Sequence, residues 1–253
     1  MVANGGAAAM IARETDAYCL LGEPKFGGIL IVSDHASNRV PEGIDLGIAP
    51  ELMDQHIAVD IGVGAIAQIM AQRPGIAAYC ANISRLVCDL NRGDHQAATI
   101  PHVSDGHAIP GNEISPEARE ARLARFHHPY HAALSQLLDD APPALILSLH
   151  SFTPRLATSD EARPWHVGIL YNEDDRAARI AIPLLEAQGL IVGDQLPYSG
   201  RVLNYTMNRH AEAEGRPYLG VEIRQDLIGD AKGQAEWADR MADICNKIAL
   251  SLP

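Results

Sequence analysis

Five short apolar segments, separated by amphipathic helical patterns, constrain the fold of this chain more than any other feature. Each segment is rich in Ile, Leu and Val and is bounded by turn residues, as is typical of buried β-strands. The segments are GILIVS (28–33), LVCDL (86–90), ALILSLH (144–150), HVGILY (166–171) and YLGVEI (218–223). Strands that alternate with helices along a chain indicate an α/β protein.

The first helical pattern covers the stretch from Pro50 to about Arg73. Apolar residues recur there at the spacing of one helix face, and Pro74 followed by a glycine ends the pattern. His56 and Asp60 are four residues apart, so we expect their side chains to share one face of this helix.

Three further helices are predicted downstream. The segment 115–117 (SPE) supplies an N-cap serine, a proline at the first helical position and an early acid, so a helix should run from there to about Asp139 with a kink at Pro129. A third helix is predicted after residues 174–175, and the last from about Gln234. The residues predicted for the inner face of the last helix are Trp237, Met241 and Ile248.

The chain contains no repeat, low-complexity tract or linker, so we predict a single domain over residues 1–253 with a peripheral N-terminal segment at 1–24. The stretch from Gly93 to Ser115 is the only long segment without a regular pattern. Long loops of compact domains are commonly functional, and we interpret this loop as a candidate lid over a site.

The charge of the chain argues against polyanionic partners. Its 253 residues are 47% hydrophobic and carry a formal net charge of −12, with a pI near 5.3. Such a chain can bury a substantial core, and its average field repels nucleic acid and anionic membrane surfaces. We therefore expect a small-molecule substrate, no nucleic acid and no membrane partner, while the oligomeric state stays open.

The cysteines and the N-terminus point to a cytoplasmic location. The four cysteines, at 19, 80, 88 and 245, show no CxxC spacing, which favours reduced thiols over disulfides or a zinc knuckle. The N-terminal residues lack the pattern of a secretory signal, and no stretch approaches the roughly 20 apolar residues that span a bilayer.

Polar side chains accumulate at the ends of three predicted strands. His35 follows ILIVS, His150 follows ALILSL, and Glu222 interrupts the apolar strand YLGVEI. Strand ends of α/β sheets are where ligand sites collect, and a buried carboxylate is costly unless it is paired or belongs to a site. A salt bridge from Glu222 to Arg224 or another arginine is the structural alternative.

The segment SRLVCDLNR (84–92) carries groups suited to holding a carboxylate. Arg85 and Arg92 offer forks of donors, Asn91 offers an amide, and Asp89 lies between them. The alternative interpretation is that these polar residues are merely the solvent-exposed ends of a strand.

Together these residues indicate a metal-assisted amide hydrolase. Imidazoles and a carboxylate bind zinc, which polarises a carbonyl and acidifies water, and a nearby glutamate can move the proton. Serine-based catalysis fits less well, because the chain has no GxSxG motif.

Seven ordered motifs carry a resemblance to a known family. They are SDHASNRVP, SRLVCDLNR, SDGHAIPGN, LSLHSFTP, WHVGILYN, PYSGR and VEIRQDLI. Over residues 25 to 250 the chain resembles the N-formylglutamate amidohydrolases, which are related in fold to the zinc carboxypeptidases. The resemblance implies a three-layer α/β/α fold with a central mixed β-sheet, zinc-exopeptidase-like (phosphorylase/hydrolase-like). It also implies hydrolysis of an N-acyl acidic amino acid, most simply N-formylglutamate to formate and glutamate.

The resemblance implies a metal site that departs from the carboxypeptidase pattern. His35 and His150 resemble two ligands of zinc or of another divalent metal. Carboxypeptidases have a glutamate three residues after the first histidine, whereas this chain has Asn38, which we assign to substrate binding. Asp60 is the candidate for the missing carboxylate ligand, on the predicted helix beside His56.

The resemblance also implies roles around the substrate. Glu222 resembles the general base and Arg85 the arginine that polarises the carbonyl. The pair Asn91-Arg92 resembles the carboxylate clamp, and Tyr198 resembles the mobile active-site tyrosine. Arg201 is a further candidate substrate contact.

Two weaker hypotheses concern other polar groups. His127 and His131, within HHPYH, have the i, i+4 spacing of helical metal ligands but lack the glutamate of HExxH. Asp34 could orient His35 through the second ring nitrogen of that histidine, as carboxylates behind metal-binding histidines commonly do.

Three alternatives to an N-formylglutamate hydrolase stay open at this point. One is a carboxypeptidase, and another is a deacylase for other N-acyl amino acids. The third is a metal-free, non-catalytic binder of acidic amino acid derivatives, for which Asn38 is the sequence argument. Metal content separates the binder from the enzymes, and a panel of substrates separates the enzymes.

Overall fold

A mixed eight-stranded β-sheet forms the centre of the protein. The computed structural model describes residues 11–252, so the first ten residues of the N-terminal segment lie outside the described part. The strands are β1 (Ile11–Glu14), β2 (Tyr18–Leu21), β3 (Ile29–Ser33), β4 (Ile76–Ala81), β5 (Val103–Ser104), β6 (His107–Ala108), β7 (Leu145–Phe152), β8 (Val167–Leu170), β9 (Val192–Asp194) and β10 (Tyr218–Arg224). The order in the sheet is β1-β2-β4-β3-β7-β10-β8-β9, and β5 and β6 form a separate hairpin.

Helices cover both faces of this sheet. They are α1 (Val63–Met70), α2 (Pro116–Arg122), α3 (His128–Asp140), α4 (Arg176–Glu186), α5 (Tyr205–His210) and α6 (Ala231–Ser251). Helix α6 packs against α1 and α4 on one face, and α3 contacts α5 on the other, where Tyr79 of β4 donates a hydrogen bond to the Tyr130 carbonyl. The arrangement confirms the predicted α/β fold with a central mixed sheet between helices.

Four neighbouring strands run parallel and bring their carboxyl ends to one edge of the sheet. β4, β3, β7 and β10 are parallel to each other, and β8 is antiparallel to β10. Because β7 and β10 are in register, His150 lies directly beside Glu222. The strand ends that the sequence analysis singled out therefore meet at one edge, as expected for α/β sheets.

Residues 11–21 of the predicted peripheral segment form the antiparallel strands β1 and β2 at one edge of the sheet. The single-domain interpretation of the whole chain stays a prediction.

Two sequence predictions of strands need correction. LVCDL (86–90) is not a strand but a series of turns, in which the Val87 and Cys88 N–H groups donate to the Ser84 carbonyl. Conversely, β4, with the sequence IAAYCA, was not predicted. Its three alanines give little apolar signal, although the whole strand is buried between β2 and β3.

The predicted helix from Pro50 to Arg73 is also wrong. The chain forms a short 3-10 helix at Pro50–Asp54, then turns, and α1 begins only at Val63. Gly62 precedes α1 with φ +85°, and a Cβ on it would lie 2.4 Å from the Ile228 carbonyl oxygen. His56 and Asp60 lie in the turns before α1, so they share no helix face.

The other helix predictions are largely confirmed. Ser115 caps α2 by accepting a hydrogen bond from the Ala118 N–H. The helix continues through a π-helical turn at Leu123–His127 into α3, and Pro129 lies in the first turn of α3, where the ring is tolerated. Helix α4 follows residue 175 as predicted, and α6 begins three residues before Gln234. The predicted inner residues of α6 are buried, namely Trp237, Met241 and Ile248.

Three further expectations concern the irregular segments, the cysteines and membrane-spanning helices. The segment between Gly93 and Ser115 is not the only long irregular one, because residues 34–62 and 153–166 also lack strands and α-helices. The four cysteines are free, and three of them are buried, in agreement with the predicted reduced thiols. Between residues 11 and 252, no helix combines the length and apolar character that crossing a bilayer requires. The cytoplasmic location stays a prediction.

Strand β8 packs closely against β10 at Gly220, so a substitution there tests how much this packing stabilises the sheet. A Cβ at Gly220 would lie 2.6 Å from the Leu170 carbonyl oxygen, so Gly220→Ala forces the two strands apart. We expect a loss of about 1–3 kcal/mol in the free energy of unfolding, measured by denaturant titration. Gly229→Ala is the control, since its nearest neighbour would be 3.6 Å away, and an equal loss in both variants would contradict the packing argument.

Candidate active site

Two imidazoles and one carboxylate converge at the carboxyl edge of the sheet. His150 Nδ1 lies 2.9 Å from Asp60 Oδ2, and His35 Nδ1 lies 3.4 Å from the same oxygen. One potential ligand atom from each of the three residues lies within 4.8 Å of the others, and all three side chains are buried. The Asp60 N–H donates to the His35 carbonyl at 3.0 Å, which fixes the loop against the end of β3.

A second carboxylate lies behind each imidazole. His35 Nε2 donates to Asp89 Oδ1 at 2.8 Å, and His150 Nε2 lies 3.5 Å from Asp34 Oδ2. Asp34 therefore faces His150, and the hypothesis that it orients His35 is wrong. The reason is geometric, because successive side chains after β3 point in opposite directions, and Asp34 is held from the other face by the hydroxyls of Tyr130 and Thr206.

Arg85 ties two of these carboxylates together. Its Nη1 donates to Asp60 Oδ1 at 3.3 Å, and its Nη2 donates to Asp89 Oδ2 at 2.9 Å. Both terminal nitrogens of the guanidinium are thus engaged with acids of the site. The contribution of Asp89, which orients His35 and anchors Arg85, was not predicted from the sequence, although its place in the apolar run LVCDL was a signal for it.

The donor set fits a divalent metal ion. A carboxylate oxygen that faces two imidazole nitrogens requires either a proton on each ring or one cation among the three atoms. Burial lowers the pKa of His150, but the contacts with Asp34 and Asp60 raise it well above its ordinary value, and the pKa of His35 is also raised. Nitrogen and oxygen ligands with carboxylates behind the histidines are typical of zinc sites.

Asp60 stays ionised in this arrangement. Burial would raise its pKa, but His35 and His150 hold the pKa of Asp60 below its ordinary value. The carboxylate is thus available as an anionic ligand.

Glu222 faces the same centre from β10. Its Oε2 is buried and has no hydrogen-bond partner among the described residues, and burial raises the pKa of Glu222 to about 7. The alternative of a salt bridge to Arg224 is wrong, because Arg224 pairs with Asp226. A carboxylate with a free oxygen and a pKa near neutrality is suited to proton transfer.

These groups line a cavity of about 320 Å³, which we call the inner cavity. Asn91 and Arg92, whose role as a carboxylate clamp stays a prediction, line it. Asn91 accepts a hydrogen bond from the Thr206 N–H, which leaves its amino group to donate. Tyr198 also lines it, and its hydroxyl accepts a hydrogen bond from Arg163 at 3.0 Å. Arg163 was not predicted as part of this region.

Two predicted substrate contacts lie outside the inner cavity. The Asn38 side chain donates to Asp54 at 2.9 Å and is not part of the wall. Arg201 is exposed and likewise does not contribute to the wall. The position three residues after His35 thus contributes a loop contact, while the carboxylate beside the histidines comes from Asp60.

The HHPYH histidines form a structural cluster. His131 donates from Nε2 to the Leu90 carbonyl and accepts at Nδ1 from His210 Nε2, so both of its ring nitrogens are engaged. Burial lowers the pKa of His131 well below its ordinary value. His127 Nε2 donates to the Arg92 carbonyl. The i, i+4 pair therefore does not offer two free ligand atoms.

The hairpin of β5 and β6 covers one side of the inner cavity. Asp105, at its tip with φ +41°, lines the cavity and accepts hydrogen bonds from His56 Nε2, the Ala157 N–H, and the N–H and hydroxyl of Thr158. These contacts hold the pKa of Asp105 at about 2, although burial would raise it. The Asp105 side chain therefore joins three loops at the cavity wall. Asp105 itself belongs to the segment that we interpreted as a lid.

A family model supplies the classification. The model for the N-formylglutamate amidohydrolases matches residues 27–229, which include every residue of the site described above. The chain belongs to the N-formylglutamate amidohydrolase family. This confirms the resemblance found in the sequence, and it identifies the protein as a hydrolase that acts on an amide.

Two crystal structures show the same fold as this amidohydrolase. Gene product Atu2144 from Agrobacterium tumefaciens matches with a TM-score of 0.85 and 28% identity, over 94% of this chain and 96% of that chain. The N-formylglutamate amidohydrolase from Ralstonia eutropha JMP134 matches with a TM-score of 0.73 and 20% identity, over 93% and 97%. No curated protein sequence matches the chain.

The contacts of Asp105 predict that it holds the hairpin of the amidohydrolase in place. Asp105→Ala removes four hydrogen bonds to a buried carboxylate, so we expect a loss of about 1–3 kcal/mol in the free energy of unfolding. Amide hydrogen exchange should quicken at residues 103–108 and 157–158 and stay unchanged in β7. Asp160→Ala, at an exposed position, is the control. Unchanged exchange in the hairpin would show that other contacts hold it.

Proposed function

We propose that this amidohydrolase is metal-dependent and cleaves N-formylglutamate to formate and glutamate. The observation that supports this most directly is the convergence of His35 Nδ1, His150 Nδ1 and Asp60 Oδ2 beside the unpartnered oxygen of Glu222. We assign His35, His150 and Asp60 as the ligands and zinc as the metal. Other divalent ions accept the same ligands.

The proposed reaction divides between the metal and Glu222. A divalent ion at these ligands supplies Lewis acidity, which polarises a carbonyl and eases the ionisation of water. Glu222 takes a proton from the water that attacks the acyl carbon, and it gives that proton to the amino nitrogen as the C–N bond breaks. Water is consumed, and one carboxylic acid and one amine are released.

Arg85 fits a positioning role better than direct polarisation of the carbonyl. Its two terminal nitrogens hold Asp60 and Asp89, and through them both the third ligand and the orientation of His35. A guanidinium so engaged keeps both carboxylates ionised. We propose that a direct contact from Arg85 to substrate is secondary to this role.

Asn91, Arg92 and Tyr198 are the proposed substrate contacts in the inner cavity. The Arg92 fork and the Asn91 amino group suit a carboxylate of the substrate. A volume of about 320 Å³ lies at the lower end of the range of small-molecule sites, which favours a small acyl group. The family description and the name of the Ralstonia eutropha relative point to the same substrate.

Of the three alternatives, the metal-free binder loses its sequence argument, and the other two are distinguished by testing a panel of substrates. The metal-free binder depended on Asn38, but Asp60 offers a carboxylate in its place. A carboxypeptidase or a deacylase for other N-acyl amino acids would use the same residues, and turnover of N-formyl, N-acetyl and N-succinyl amino acids separates them. We retain the proposal of a cytoplasmic enzyme.

Metal content tests the ligand assignment. His35→Ala and His150→Ala each remove one of three ligands, so we expect metal bound per chain, measured by plasma mass spectrometry after dialysis, to fall from about one to near zero. His102→Ala, which removes an exposed histidine, should keep the wild-type content. Full occupancy in both site variants would overturn the assignment.

Glu222→Gln tests the general base. The amide keeps the shape and removes the proton acceptor, so turnover should fall by about two to four orders of magnitude while metal content stays intact. Glu161→Gln, at an exposed position, controls for the loss of a charge. Normal turnover would leave Glu222 with a structural role only, and loss of metal would make it a ligand.

A further inference from the structure

A second cavity shares part of its wall with the inner cavity. It has a volume of about 550 Å³ and is formed by the segments 91–98 and 202–208, and we call it the outer cavity. Asn91, Arg92 and Leu203 line both cavities. The two cavities therefore meet at these three residues, which gives a substrate bound in the inner cavity a neighbouring space for its other end.

The charge of the outer cavity is opposite to that of the whole chain. The chain has a net charge of −12, and the wall of the inner cavity has three acids, Asp60, Asp105 and Glu222, together with two arginines. Among residues 11–252, none that lines the outer cavity is Asp or Glu, and Arg92 is the one charged side chain in the wall. Such a wall favours an anion over a neutral or cationic group.

Three polar side chains of the outer cavity have their acceptor atoms engaged, whereas Asn204 uses its amino group to donate to Asn208 and Tyr218. Gln96 Oε1 accepts from the Gly93 N–H at 3.1 Å, and Asn208 Oδ1 accepts from Asn204 Nδ2 at 3.0 Å. The Tyr205 hydroxyl accepts from Arg209 at 3.0 Å. On these three side chains the groups left to bind a ligand are therefore donors, namely two amide NH₂ groups and one phenol hydrogen, and the Asn91 amino group is a third amide donor in the wall.

We infer that the outer cavity is a carboxylate subsite, in which Gln96, Tyr205 and Asn208 select the acidic side chain of the substrate. The inference rests on the proposed function, because it takes the scissile amide to lie beside Glu222. The donors and Arg92 match the two oxygens of a carboxylate, which accepts hydrogen bonds only. A glutamine side chain would place an NH₂ group against these donors, so the subsite discriminates against it.

Isosteric acid variants test the subsite without removing its internal contacts. Asn208→Asp keeps the acceptor for Asn204, Gln96→Glu keeps the acceptor for the Gly93 N–H, and each replaces a donor by an anionic oxygen. Asn246→Asp adds the same charge at an exposed position of α6 and is the matched control. The measurement is kcat/KM for N-formylglutamate and for N-formylglutamine in the metal-loaded enzyme.

We expect wild type and control to prefer N-formylglutamate. In Asn208→Asp and Gln96→Glu, kcat/KM for N-formylglutamate should fall by about tenfold or more, because like charges face each other, and kcat/KM for N-formylglutamine should fall less than about threefold. An unchanged ratio of the two substrates in both variants would overturn the subsite. Equal losses for both substrates would overturn it as well.

Binding of free amino acids separates this inference from the proposed function. If wild type hydrolyses neither substrate, the proposed function fails, and calorimetric titration with glutamate and glutamine then decides the subsite. Tighter binding of glutamate that is lost in the two acid variants supports it. Equal binding of both amino acids by wild type overturns it.

Discussion

The carboxylate of Asp60 is the contact on which the rest of the site depends. Its Oδ2 faces His35, His150 and the Ser151 N–H, and its Oδ1 accepts from Arg85. A buried carboxylate is costly unless its oxygens are satisfied, so these four partners and Asp60 stabilise one another. Because the partners come from the ends of two strands and from the loop of Arg85, a single anion in the loop before α1 fixes the relative positions of four chain segments.

The parallel sheet makes this convergence possible. Neighbouring parallel strands present their carboxyl ends at one edge, so His150 and Glu222 lie in register, and β3 delivers His35 beside them. Several carboxylates lie close together at the same edge, near the guanidinium of Arg85. A divalent cation at the proposed ligands would reduce this excess of negative charge, which is a physical argument for the metal that does not depend on the relatives.

The strand ends could be predicted from the sequence, but the loops between them could not. His35, His150 and Glu222 stand out because each polar group interrupts or ends an apolar run, and a parallel sheet brings such ends together. Asp60 lies beside the two histidines as the assignment required, but no helix carries it, and a hydrogen bond from its N–H to the His35 carbonyl positions it instead. The segment LVCDL looked like a strand because its apolar side chains are buried, yet Asp89 within it turns toward His35.

The two cavities that share Arg92 differ in their charged side chains, and under the proposed function this difference gives a substrate a direction. The wall of the inner cavity has three acids beside two arginines and suits an uncharged amide beside a cation, whereas the outer cavity offers donors and a guanidinium. A molecule with a neutral acyl end and an anionic far end is favoured in one orientation, because reversing it would set a carboxylate against Glu222 and Asp60. Under the proposed function, repulsion by the acids at the strand ends thus adds to attraction by Arg92 in setting the orientation of the substrate.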